Sequence, residues 1–246
     1  MCAIRGAEIA LVFQEPMSSF SPVHTVGDQI IEAIVLHRQV GRPEGRQQAV
    51  AMLRQVGISL PEQRVDQLAN QLRGGLRQRA MIAVALSCNP TLLIADEPTT
   101  ALDVTTQAQI LAPLRRLPRE YGMAIMLITH DLGVIAEMAD AAVVMYLGRV
   151  VEQAPVDEIF YAPKHPYTQA LLRSIPRIHS ESRARPASIT GSVPPPYNRP
   201  PGCPFHPRCP AFMPGICDRR EPHLQAAGEH HLVSCFLYED GEAPPP

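Results

Sequence analysis

Three things are missing from this sequence: a long apolar run, a dominant charge and an internal repeat. No apolar stretch in the 246 residues approaches the roughly 20 that a membrane-spanning helix needs. The formal net charge is only −2, which removes any global attraction to nucleic acid. The opening MCAIRGAEIALVF has a short apolar stretch that runs into Gln14-Glu15-Pro16 with no small-residue cleavage site. A signal peptide is therefore not expected, and a cytosolic location is.

What is present divides the chain. Hydrophobic residues make up 46%, enough for a core. Of 26 prolines, 18 follow Gln153, so the last third is not expected to form a second regular α/β domain. Cys2 and Cys88 stand alone, whereas Cys203, Cys209, Cys217 and Cys235 crowd the tail. The closing run 242–246 reads as a frayed end.

Residues 7–13 (AEIALVF) have the length and composition of a strand. Helical spacing follows over 25–38, is broken at Gly41-Arg42-Pro43, resumes over 44–56 and stops at Gly57. Residues 61–72 form a polar connector and 76–88 a third helix. Then the pattern changes. Residues 91–95 (TLLIA) read as a strand buried on both faces of a parallel sheet. A helix over 105–121 is expected to be interrupted by Pro113 and Pro118. Strand 123–128, helix 131–138 and strand 142–147 complete an alternation that implies right-handed crossovers and a parallel α/β sheet. Ligands of such sheets gather at the carboxyl ends of strands.

Three such ends carry candidate chemistry. After LLIA come Asp96 and Glu97, with Pro98 forbidding extension of the strand. An isolated acidic pair is usually solvated; here the apolar run delivers both carboxylates to a sheet edge, where Asp96 can serve Mg²⁺ and Glu97 can polarise a water. His130 lies in L-I-T-H-D, where the local alternative is helix capping by Thr129 or Asp131. Gln14 follows the first strand and means nothing alone. A fourth feature is L-R-G-G-L, residues 72–76, two glycines opening a helix whose amides invite an anion.

In this order these pieces resemble the ATP-binding cassette (ABC) ATPases: Gln14 the Q-loop, LRGGL the signature, LLIADE the Walker B motif, Thr100-Ala101-Leu102-Asp103 the D-loop and His130 the switch histidine. FQEPMSSFSPVHTVGDQI, DEPTTALDVTTQAQIL and HPYTQALLRSIP resemble the importer subunits for oligopeptides, dipeptides and nickel. The resemblance implies a P-loop NTPase-type α/β domain over 1–155, with a helical subdomain at 22–80 that docks on a membrane subunit, and a C-terminal extension over 156–246. It implies ATP and Mg²⁺ as ligands. Gln14 and Asp96 would serve Mg²⁺ and water, Glu97 would be the general base and His130 would reach the γ-phosphate. Asp103 would lie at a dimer interface. Gly74 and Gly75 would meet the γ-phosphate of ATP bound to an opposite subunit. The implied partners are a second ATPase subunit (a paralogue or a second copy), transmembrane permease subunits and, indirectly, an extracytoplasmic solute-binding protein, with no nucleic acid. The implied place is peripheral, on the cytoplasmic face of the inner membrane.

Two departures stand against the pattern. Arg73 occupies the signature position where the family carries serine. A cation at a helix N-terminus costs roughly 0.3–1 kcal/mol when no anion is present. It can obstruct closure of the nucleotide sandwich, replace serine as a phosphate ligand, or swing to solvent. The phosphate-binding loop G-x-x-x-x-G-K-[ST] does not occur in the 246 residues. Its absence raises the expectation of a C-terminal portion lacking the Walker A lobe. A second functional reading follows, a non-hydrolytic partner that lends its signature motif to a complete paralogue. A soluble DNA-repair ATPase is disfavoured by the short helical block between Gln14 and Gly74.

The tail spacing is C-x₅-C-x₇-C-x₁₇-C. Disulfides are disfavoured in a cytosolic protein, zinc is open despite the missing C-x₂₋₄-C pairs, and four thiolates can hold an iron–sulfur cluster. The resemblance to peptide-importer tails implies [4Fe–4S] on Cys203, Cys209, Cys217 and Cys235. His206, His223, His230 and His231 read as loop residues rather than ligands.

Overall fold

The computed structural model describes residues 4–100, 102–175 and 189–239. Cys2, Ala101 and the 242–246 run lie outside the described residues. The chain divides into two compact units, 1–131 and 132–246.

The first unit begins with β1 (Ile9–Val12), a short α1 (Pro16–Ser19) and α2 (Val26–Arg38). Thr25 caps α2, accepting from the Asp28 amide at 3.0 Å while its hydroxyl donates to the Asp28 carboxylate at 2.7 Å. Next come α3 (Arg42–Gln55), with proline in its first turn, α4 (Pro61–Arg64) and a 3₁₀ turn at Ala69–Gln71. Then follow α5 (Gly75–Leu86), β2 (Leu92–Asp96), α6 (Val104–Tyr121) and β3 (Ala124–Ile128). The helix α6 runs unbroken through Pro113 and Pro118, against expectation. Its buried stripe, Ile110, Leu111, Leu114 and Leu117, recurs at helical spacing. Burial of that stripe at about 1.5–3 kcal/mol per large side chain outweighs the backbone bonds the prolines cannot make.

The sheet is parallel in the order β1-β2-β3, with Val12 beside Ala95 and Ala95 beside Leu127. Ala10, Val12, Leu93 and Ala95 are buried, and α5 packs against β1. The other face is open: Ile9, Leu11, Met126 and Ile128 are each about 40–50% exposed (39%, 41%, 53% and 42%). Burial of β2 on both faces is thus not observed. The parallel register still achieves what the alternation implied, since the strand ends Val12, Asp96 and Ile128 terminate side by side.

The second unit corrects the expected third parallel strand. After α7 (Leu132–Met138), β4 (Ala141–Tyr146) pairs antiparallel with β5 (Arg149–Pro155). The connection is two residues, Leu147 and Gly148, with φ of 45° and 75°. Positive φ at both positions is the type I′ hairpin geometry, which matches strand twist and closes β4 onto its successor. Beyond α8 (Val156–Tyr161) and α9 (Pro166–Arg173), β6 (Gln225–Gly228) and β7 (His231–Val233) complete a sheet in the order β4-β5-β7-β6. The proline-rich tail is therefore more regular than its composition suggests. His231 lies in a strand, not a loop, and is buried. Its Nε2 is 2.6 Å from Glu152 Oε1, and the fully buried Glu152 also accepts from the Lys164 and His165 amides.

Candidate functional site

Three strand ends of the first unit bring their side chains to one carboxylate. Gln14, two residues past β1, donates from Nε2 to Glu97 Oε2 at 2.8 Å. His130, two residues past β3, places Nδ1 3.1 Å from Glu97 Oε1. Thr100 donates its hydroxyl to Glu97 Oε2 at 2.7 Å. Glu97 itself follows β2 with φ 45°, a left-handed conformation that only a tight turn imposes on such a residue. Its amide donates to the Ile128 carbonyl at 2.9 Å, which fixes the turn to the end of β3. The hydrogen bond from Thr100, then those of His130 and Gln14, hold the Glu97 carboxyl below its ordinary range. It is a carboxylate at neutral pH, as a base must be.

Asp96 is the last residue of β2, half-buried and opposite Ile128. Its carboxylate and the Oε1 of Gln14, whose Nε2 is engaged by Glu97, are hard oxygen donors of the kind Mg²⁺ takes. The donor set fits that ion.

The signature lies at the N-terminus of α5. Gly74 has φ 42° and ψ −119°, outside the range of ordinary residues, and a Cβ there would meet nothing within 4 Å. The surface over Gly74 is open. Gly75 differs: a Cβ on it would stand 2.5 Å from Thr106 Cγ2. Arg73 is exposed. The arginine that braces this loop is Arg77, donating from Nε to the Ala69 carbonyl (3.1 Å) and from Nη2 to the Leu72 carbonyl (2.8 Å). Asp103 caps α6, accepting from the Thr106 amide at 2.9 Å and the Thr106 hydroxyl at 2.7 Å. These two bonds hold its carboxyl below the usual range, the hydroxyl's contribution being the larger.

The structure thus gathers Gln14, Glu97 and His130, with Asp96 adjacent, while Gly74, Gly75 and Asp103 form a separate place around the starts of α5 and α6. Sequence reading placed Thr100 in the D-loop without its bond to Glu97, and missed Arg77 and Thr106 as contributors. Thr100 and Thr106 each lie three residues after an acid, a spacing at which a hydroxyl reaches back; Arg77 gives no such signal.

Tail cysteines Cys203 and Cys217 are buried with Tyr146, Val151 and Phe205, and Cys209 packs against them. Burial pushes the Cys203 thiol up, Cys209 to about 11 and Cys235 to about 12. Cys209 and Cys235 also sense the charge of other tail cysteines. Among the described residues no group of three His, Cys, Asp or Glu side chains stands close enough to hold a metal ion.

A family model described as ABC transporter matches residues 1–100, and one described as oligopeptide/dipeptide transporter, C-terminal region, matches 151–217. The oligopeptide transport ATP-binding protein AppD of Bacillus subtilis (strain 168) is 53% identical over 239 residues, covering 97% of this chain and 72% of AppD. This chain belongs to the ABC transporter ATPases. The dipeptide transport ATP-binding protein DppD of Escherichia coli (strain K12) is 48% identical, with 98% of this ABC ATPase and 73% of DppD covered. Among solved structures, the dimeric post-hydrolysis state of the ATP-binding cassette MJ0796 bound to ADP and Pi is 28% identical with a TM-score of 0.56. That match covers 61% of this chain and 64% of that cassette. The fold is the ABC nucleotide-binding domain. The expectation of a lost Walker A lobe is not borne out: the ABC transporter model matches from residue 1, although the loop's motif does not occur in the 246 residues. No helix among the described residues is long and apolar enough to cross a membrane.

Proposed function

We propose that this chain is the ATP-binding and hydrolysing subunit of an importer for peptides or similar small solutes. The observation that carries the chemistry is the convergence of Gln14, Thr100 and His130 on Glu97 at the carboxyl ends of parallel strands. What supports the transport class is the 53% identity to AppD and the match of the tail to the peptide-transporter region.

In this reading Glu97 is the general base that takes a proton from the attacking water, and His130 orients toward the γ-phosphate. Asp96 and the Gln14 amide oxygen would hold Mg²⁺, which supplies charge neutralisation of the phosphates. Thr100 and Gln14 keep the base aligned until substrate is present. No residue of the 246 is assigned to the phosphate cradle. Gly74 and Gly75 offer amides to ATP on an opposing subunit, a paralogue or a second copy, with Asp103 at that interface and Arg73 beside the incoming phosphate. The ATPase part spans 1–155, and 22–80 faces permease subunits on the cytoplasmic side of the membrane. Residues 156–246 form the extension whose β7 adds to β5. The test replaces the gene by one carrying Glu97→Gln and measures labelled-peptide uptake. Uptake is expected to fall to background with the importer still assembled; undiminished uptake overturns the assignment.

For the tail, the proposed occupant is one [4Fe–4S] cluster on Cys203, Cys209, Cys217 and Cys235. Cys203, Cys209 and Cys217 share one apolar cluster, and the charges of Cys203, Cys209 and Cys217 act on Cys235, which supports a common site for the four. Protein made anaerobically is expected to contain four irons and four sulfides per chain, as the cluster formula requires, and Cys217→Ser to lose them. Iron-free protein, or full loading of Cys217→Ser, contradicts it.

A further inference from the structure

The first turn of α6 touches three functional places at once. Its cap is Asp103, of the D-loop. Thr106 reaches both ways: its hydroxyl donates to Asp103 Oδ2 at 2.7 Å, and its methyl lies against Gly75 so closely that a single added Cβ would be 2.5 Å away. The next residue, Gln107, donates from Nε2 to Asp131 Oδ2 at 3.0 Å, and Asp131 directly follows His130. The Asp131 amide in turn donates to Thr129 Oγ1 at 3.1 Å, so the segment 129–131 is a closed turn held at one end by Gln107. Both Thr106 and Gln107 are half-buried, and the Gln107 amide donates to the Asp103 carbonyl at 2.8 Å. The backbone bonds of α6 hold the Cβ atoms of Thr106 and Gln107 on a common frame.

We propose that Thr106 and Gln107 are positioning residues that tie the seat of the signature glycine Gly75 to the loop carrying His130. The proposal deepens the reading given above, in which Gly75 and His130 face different ATP molecules of a dimer. The contact of Gly75 with Thr106 then sets the frame of α6, and Gln107 hands that frame to the His130 turn. Occupancy sensed at the signature is thereby linked to the switch histidine of the same chain through a contiguous packed and hydrogen-bonded path.

The link is testable without nucleotide, in the full chain, so its outcome does not depend on whether Glu97 is the base. The probe is the imidazole ¹³Cε1–¹H resonance of His130, identified by its loss in His130→Gln. Gly75→Ala pushes on Thr106 Cγ2 and is expected to shift that resonance by several linewidths. The double variant Gly75→Ala with Thr106→Ser removes the opposing methyl, keeps the hydroxyl, and is expected to return the resonance to its original position. In a Gln107→Leu background, adding Gly75→Ala is expected to leave the resonance where Gln107→Leu alone put it, a non-additivity that a local packing defect would not produce. Should Gly75→Ala not fold, Thr106→Val replaces it as the perturbation: it loses the bond to Asp103 and is expected to shift His130 only when Gln107 is present. A His130 resonance unmoved by the perturbation, a shift that persists in the Thr106→Ser rescue, or an undiminished shift in the Gln107→Leu background overturns the proposal.

Discussion

Glu97 sits where a left-handed backbone, three hydrogen-bond donors and a strand end coincide. A non-glycine residue at φ 45° persists only when its surroundings hold it, and such conformations cluster at functional sites. Arg73 is the residue that departs most from the family pattern. It stands exposed beside Gly74, whose surface must stay open for a phosphate to approach. The steric argument favours obstruction: Arg73→Ser is expected to tighten nucleotide-dependent association of this chain with its partner ATPase subunit by roughly tenfold, equivalent to about 1.4 kcal/mol. Weaker association of the serine variant would instead make the guanidinium a phosphate ligand. The gathering of Gln14, Glu97 and His130 at strand ends was legible in the sequence, with Asp96 closing β2, while their roles rest on the resemblance to the ABC ATPases. Arg77 was not, since its role depends on a turn that no periodicity encodes.

At the scale of elements, boundaries agree with the hydrophobic pattern, and pairing agrees for the parallel β1, β2 and β3 but not for β4. Strands β1, β2 and β3 were readable as apolar runs, and helices α2, α3 and α5 from their spacing and breakers. A turn after β4 was legible at Gly148-Arg149, but its antiparallel return was not, since leucine at 147 departs from the usual Asn-Gly or Gly-Gly. The regularity of the tail was hidden too, because it rests on long-range anchoring at a buried carboxylate, Glu152. That anchoring includes His165, which caps α9 by accepting from the Tyr167 amide at Nδ1 (3.0 Å) and lies against Phe205. Burial lowers its pKa from 6.5 to about 4. The sign follows directly. The unfolded chain binds the proton between pH 6.5 and 4 while the folded chain does not, so this group's contribution is full above pH 6.5 and is lost as pH falls toward 4. The loss amounts to ~3 kcal/mol at 1.36 kcal/mol per pK unit. The protection of α9 amides against hydrogen exchange, corrected for the intrinsic slowing at lower pH, is expected to fall on going from pH 7 to pH 5, and His165→Asn to flatten that dependence. A pH-independent protection of α9 in the native protein would contradict the burial argument.

For the whole molecule, the two units carry different work. The first holds the strand ends, the signature and the helix turn that joins them; the second holds the antiparallel sheet, the HPY segment at 165–167 and the tail cysteines. The membership in the ABC transporter ATPases rests on matches in both units, and so does the proposed coupling of ATP hydrolysis to import. The central claim is that Glu97 is the base. The direct measurement is steady-state ATP turnover by the purified importer containing this chain, with Glu97 against Glu97→Gln. The amide keeps the size and hydrogen-bonding reach of the side chain but cannot take a proton. Turnover is expected to fall about 10²–10⁴-fold, the usual range for loss of a general base, with nucleotide-driven association retained. Turnover within a few-fold of the native protein would contradict the account.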